Sequence, residues 1–298
     1  MSTPVAQSCG KVALVLALDI DAAGLLGGVM AEPRLHPLNE GFRWESTAGP
    51  WQRISAAQAR AWDEDGFFVL EDAFDAATIA AVAGEIDPHE ERLERVVAAR
   101  EGGRMFIARA GEITFTPHLV TRSVRLREFS SSNVFGELAH DLVGDDVRLY
   151  WDQAVYKKPE TPRDFPWHQD NGYTFVRPQQ YLTCWVALTD ATVKNGCPWV
   201  VPGLHRRGTL AHWMTDLGWR CLDDAPDAVA VPVRAGSIVV FSSLTPHRTG
   251  PNTTGEVRKA YILQYAPMGA QMILGDQQLA CDDPQRQFPV LVAGAVPL

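Results

Sequence analysis

Residues 167–170 read Trp-His-Gln-Asp. In an extended segment, side chains two apart project from the same side of the chain. His168 and Asp170 therefore offer an imidazole nitrogen and a carboxylate oxygen to one point in space. A pair this short arises often by chance and needs a third ligand from elsewhere. His247 is the candidate: it lies in the polar segment Ser242-Ser243-Leu244-Thr245-Pro246-His247-Arg248-Thr249-Gly250-Pro251, just after an apolar run. Two histidines and one carboxylate bind a metal on one face and leave the other face open, the arrangement used by non-haem Fe(II) oxygenases. The open positions accept a co-substrate and O2.

Arg258 follows His247 in the run Val257-Arg258-Lys259-Ala260-Tyr261-Ile262-Leu263-Gln264-Tyr265. On a strand, Arg258, Ala260, Ile262 and Gln264 share one face, and the apolar pair turns that face inward. A buried guanidinium requires an anion, and its planar fork matches a carboxylate bidentately. The distal carboxylate of 2-oxoglutarate fits, with the Thr249 hydroxyl as a second donor. The ordinary alternative is a surface ion pair. Gln153 shares a face with Trp151 and Val155 and is a candidate for hydrogen-bonding the co-substrate, or for a satisfied core polar group. Gln169, Tyr173 and Trp185 are candidates for the substrate pocket. His205 reads as a turn histidine. His36, His89, His118, His140 and His212 have no partners at ligand spacing and are assigned structural roles.

These residues need a scaffold. Ser55 and Gln58 have capping-box spacing, which starts a helix running to about Glu64, and Phe67 to Leu70 reads as a buried strand. Helical composition follows at Asp75–Glu85, His89–Arg100, Val120–Phe129 and Asn133–Val143. From Val147 onward the character changes to β-branched and aromatic runs: 147–157, 181–188, 198–201, 229–233, 237–241 and 257–265, separated by Pro and Gly clusters. Helices first, then strands with no helices between them, predict a mainly β jelly roll buttressed by N-terminal helices. Residues 51–298 are expected to form that single domain, and residues 1–50 an extension of unknown role.

The net charge of −9 disfavours nucleic acid and anionic membranes as partners; a small-molecule metabolite or natural-product intermediate, rather than a protein, is the expected substrate. The Arg-rich stretch Arg92 to Arg127 is diluted by glutamates and reads as a solvated face. Five cysteines with wide spacing and no C-x-x-C pair form neither a zinc site nor a disulfide framework, which points to a reduced, cytoplasmic protein. Val12 to Met30 is apolar, but Asp19 and Asp21 interrupt it as they would not a signal or membrane segment.

Together the motifs resemble the phytanoyl-CoA dioxygenase family over roughly residues 55–270. Asp65-Gly66-Phe67-Phe68-Val69-Leu70 is similar to the family's first strand, and Trp167-His168-Gln169-Asp170 with Tyr173 to its metal motif. Asn195-Gly196-Cys197 and Val200-Val201-Pro202-Gly203-Leu204-His205 are similar to its Asn-Gly turn and Pro-Gly-x-His segment. Ala235-Gly236-Ser237 departs from the pattern, since Ser237 stands where the family has an acid. His247, Thr249 and Arg258 fall at its distal histidine, hydroxyl and arginine positions. The resemblance implies a double-stranded β-helix (cupin-like) and oxidation of a C–H bond, with 2-oxoglutarate and O2 giving succinate and CO2. A non-catalytic metal-binding or regulatory module on the same scaffold is the rival reading. A halogenase would need a small residue in place of Asp170.

Overall fold

The computed structural model describes residues 33–297. The segment 1–32, which carries the apolar run and its two aspartates, lies outside the described residues. The compact unit begins at Pro33. Residues 33–50 are bound into this unit. Leu35 bridges to Leu210, the Asn39 amide donates to the Arg207 and Thr209 carbonyls, and the Thr47 hydroxyl donates to the Asp141 carbonyl.

The helix Ala56–Glu64 starts at the expected capping box: Ser55 accepts from the Gln58 backbone, and the Gln58 side chain accepts from Ser55 N–H. The chain then turns at Gly66, whose φ of +82° and closeness to His205, 2.5 Å from a hypothetical Cβ, admit only glycine. The two helices expected between Asp75 and Arg100 are one, Ala76–Ala98, with Pro88 inside. Proline inside a helix costs about 3 kcal/mol. Ile79, Val82, Ile86 and Val97 are buried along one face, with the buried Glu90 between the last two, and each buried aliphatic side chain contributes about 1.5–3 kcal/mol, which together exceeds that cost. The helix expected at Val120–Phe129 divides into a turn at Leu119–Thr121 and the helix Val124–Ser130, where Ser123 caps Leu126 N–H.

Two antiparallel sheets form the double-stranded β-helix. The larger runs, in spatial order, Phe67–Leu70, Ile238–Ser242, Leu182–Ala187, Arg258–Pro267, Val147–Lys157 and Ile113–Pro117, then continues through Ala108–Arg109 to Arg104–Met105. The smaller runs Val229–Ala230, Pro198–Val200, His247–Thr249 and Phe165–His168. Helices cover the outer face of the larger sheet: Trp62, Ile86, Leu126 and Phe135 belong to one core with Cys184, Val240, Tyr261 and Leu263. The inner faces of the two sheets share a second core, with Val155, Trp185 and Ile262 from the larger and Phe165 and Val200 from the smaller. The site is built into this second core.

Candidate active site

His168 and His247 are register partners on adjacent strands of the smaller sheet, so their rings stand side by side with centroids 4.1 Å apart. Asp170 follows at the start of a short turn, Asp170–Gly172. One ligand atom from each of the three lies within 4.8 Å of the others, and His247 Nε2 is 3.8 Å from Asp170 Oδ1. Each ring is fixed through its other nitrogen. His168 Nδ1 donates to the Pro166 carbonyl at 2.8 Å and His247 Nδ1 to the Thr245 carbonyl at 3.0 Å. That tautomer leaves Nε2 of both rings as a lone pair facing Asp170.

The titration behaviour suits metal ligands. Burial, then the neighbouring His247, pushes His168 down to about 3, and burial pushes His247 down to about 4. Both are neutral near pH 7, as ligation requires. Burial raises the Asp170 carboxyl, opposed by His168 and by hydrogen bonds from Thr183 and Gln264. Thr183 Oγ1 donates to Asp170 Oδ2 at 2.6 Å, which leaves the other oxygen toward the histidines.

Arg258 starts its strand on the inner face, 0% exposed, with its guanidinium 5.2 Å above the Trp185 ring. Nη1 donates to the Val155 carbonyl at 3.3 Å, while Nε and Nη2 have no hydrogen-bond partner. Burial pushes its pKa down to about 10. Thr249, two residues after His247 on the opposing sheet, is also buried, with an unpaired hydroxyl. A buried cation with two unpartnered nitrogens and a buried unpartnered hydroxyl are what an anion-binding end should present.

The other expected residues divide. Trp185 lies beneath the Arg258 guanidinium on the inner face. Gln153 is half-buried on the inner face, opposite Ile262. Tyr173 meets the His168 ring edge-on at 5.3 Å and forms a wall beside the metal ligands. Gln169 is corrected. Between His168 and Asp170 it must face the other way, and its buried amide bonds the Gly208 and Leu244 carbonyls (3.0 and 2.5 Å) and accepts from Leu210 N–H (2.6 Å). It ties the metal motif to two loops and has no group left for substrate. His212 accepts from Gln169 N–H at 3.0 Å, which is a structural role. His205 lies in the turn Leu204–Arg207, as expected, and is fully buried against Trp44. Sequence reasoning missed Thr183, Gln264 and Lys157. Their signal was a polar side chain at an inward position of an otherwise apolar strand.

Comparison with known proteins agrees with this geometry. The family model described as phytanoyl-CoA dioxygenase matches residues 62–260, about two-thirds of the chain. A phytanoyl-CoA dioxygenase of Arabidopsis thaliana is 29% identical over 143 residues, 46% of this chain and 50% of the relative. A methylphosphonate hydroxylase of Gimesia maris is 31% identical over 151 residues, 50% of this chain and 57% of the relative. The chain thus spans about half the length of these curated relatives. A crystal structure of a non-haem, α-ketoglutarate-dependent carbocyclase from nogalamycin biosynthesis superposes with a TM-score of 0.63 at 26% identity, covering 77% of this chain and 91% of the other.

Proposed function

The chain belongs to the phytanoyl-CoA dioxygenase family, and from that premise we propose that it is an Fe(II)- and 2-oxoglutarate-dependent oxygenase that hydroxylates a small-molecule metabolite or natural-product intermediate. The observation that carries the reading is Arg258. A guanidinium with no exposure, and with no counter-charge among the described residues, lines the same inter-sheet space as the His168-Asp170-His247 set. A module that only held a metal would have no physical need for that uncompensated charge.

His168, Asp170 and His247 would hold the iron, and Arg258 with Thr249 the distal carboxylate of 2-oxoglutarate. Iron with 2-oxoglutarate supplies the O2 chemistry that side chains lack. The chain supplies orientation and seclusion. The Pro166 and Thr245 carbonyls fix the histidine tautomers, and Thr183 fixes the carboxylate. Phe165, Tyr173 and Phe241 pack against the histidine rings and keep bulk water from the ligand atoms. The four cysteines among the described residues are free and buried, which supports a reducing, cytoplasmic setting, and no helix among those residues is long and apolar enough to cross a membrane.

The test is succinate formation from 2-oxoglutarate with a panel of small organic substrates, together with calorimetric binding of Fe(II) and 2-oxoglutarate without O2. Iron-dependent succinate release supports the assignment. Failure to bind 2-oxoglutarate in the iron-loaded protein would overturn it.

A further inference from the structure

Arg258 is not alone at its end of the barrel. Its register partner across the strand pair is Lys157, on the same inner face and 1% exposed. Two buried cations occupy facing positions, and neither forms an ion pair among the described residues. Lys157 spans from the larger sheet to the smaller, where its Nζ donates to the Gly250 carbonyl and, at 3.4 Å, to that of Thr249. Gly196 closes the space above it: a Cβ there would lie 2.6 Å from the Gly250 oxygen and 3.1 Å from Lys157 Cδ. The amine is therefore packed away from bulk solvent, and no acidic side chain among the described residues lies within ion-pair distance of it. Its two acceptors match the two N–H groups of a neutral amine. A third N–H, present only when Lys157 is protonated, has no acceptor among the described residues.

We infer that Lys157 is a second binding group for the distal carboxylate of the co-substrate, and that it takes up a proton from solvent as that carboxylate arrives. The inference rests on the co-substrate reading given under Proposed function. An anion placed against the free Nε and Nη2 of Arg258 also faces Lys157. It supplies the missing third acceptor and reverses the local excess of positive charge. The surrounding charges act in this sense. Burial pushes Lys157 down to about 7, and Arg258 on the neighbouring strand pushes the same way. Asp164 and Glu112 on the flanking segments raise it, and Arg248, beside Thr249, lowers it. Cys197, in the turn carrying Gly196, is a buried thiol whose pKa is raised, so it carries no compensating charge near neutrality.

The experiment is anaerobic calorimetry of 2-oxoglutarate binding to the Fe(II)-loaded protein, in pairs of buffers that differ in ionisation enthalpy, between pH 6.5 and 8.5. The expected result is net proton uptake that grows from a minor fraction of a proton at pH 6.5 to most of a proton near pH 8. Affinity should weaken by about tenfold across the range, since a linked site changes binding by up to tenfold per pH unit between its free and bound pKa values. Lys157→Met should abolish both the uptake and the pH dependence and bind more weakly at pH 6.5. Lys157→Arg, charged throughout, should bind without the pH dependence. Absence of proton uptake in the wild type overturns the inference, and this needs no variant to fold. So does a Lys157→Met protein with wild-type affinity at pH 6.5. If the wild type binds no 2-oxoglutarate at any pH, the co-substrate reading itself has failed.

Discussion

A guanidinium at 0% exposure with one carbonyl partner carries a desolvation cost of several kcal/mol that the fold alone does not recover. Residues of this kind separate binding from stability. Arg258→Gln should weaken 2-oxoglutarate binding by about tenfold to hundredfold or more, since charge-assisted bonds contribute about 1.5–3 kcal/mol each and about 1.4 kcal/mol is tenfold. Arg258→Lys should recover only part, because an ammonium lacks the planar fork. Without co-substrate, Arg258→Met should raise the melting temperature, because similar replacements of buried charges are neutral to stabilising by about 1–4 kcal/mol. A clear fall in that melting temperature would mean that Arg258 has a structural partner. The iron ligands behave differently. His168→Ala, Asp170→Ala or His247→Ala should each abolish tight Fe(II) binding and leave the helix-covered core folded, as far-ultraviolet circular dichroism would register. Normal iron binding by any one of them removes that residue from the triad.

Elements differ in how plainly the sequence announced them. The strand Val147–Lys157 was expected at its observed limits, and 181–188 and 257–265 fell within a residue or two of theirs, because long β-branched runs bounded by turns leave little ambiguity. The strands that carry the two histidines of the triad, Phe165–His168 and His247–Thr249, were not recognised as strands. They are short, polar where they bind, and one contains Pro166, which is tolerated because Phe165–His168 is the edge of the smaller sheet. Functional demands had displaced the usual strand signal. Spacing rather than propensity revealed the ligands, and the same alternation, carried one residue further, would have turned Gln169 away from the pocket. The turn after Asp170 has its own constraint: a Cβ on Gly172 would overlap the His212 ring. Gly172→Ala must push His212 off the Gln169 backbone and disturb the metal motif from behind. We expect a loss of about 1–3 kcal/mol, as for overpacked sites, and weaker Fe(II) binding although no ligand is altered. Unchanged iron affinity and urea midpoint in this variant would show that the loop carrying His212 moves freely.

At the scale of the whole molecule, the helical layer is joined to the larger sheet by a buried acid as well as by apolar packing. Asp152 sits on the outer face of the Val147–Lys157 strand, 1% exposed. Its Oδ2 accepts from Leu119 N–H at 2.7 Å, Val120 N–H at 3.2 Å and the Tyr261 hydroxyl at 3.0 Å, while Oδ1 has no partner. Burial raises its pKa to about 6 from 3.8, and the Tyr261 and backbone hydrogen bonds only partly oppose this. The folded protein therefore holds this proton more tightly than the unfolded chain does. Stability from the protonated form is fully present below about pH 4 and is lost as the pH rises through about 6, on the order of 3 kcal/mol in all at about 1.4 kcal/mol per pKa unit. Asp152→Asn cannot titrate. Its amide oxygen can keep the three bonds of Oδ2, and its nitrogen takes the place of the unpartnered oxygen. Urea unfolding at pH 4.5 and 7.5 should show the variant gaining on the wild type by most of that amount toward the alkaline end. Parallel stabilities at the two pH values would mean that Asp152 is ionised throughout, with its charge met by the two N–H groups of the Leu119–Thr121 turn and the Tyr261 hydroxyl.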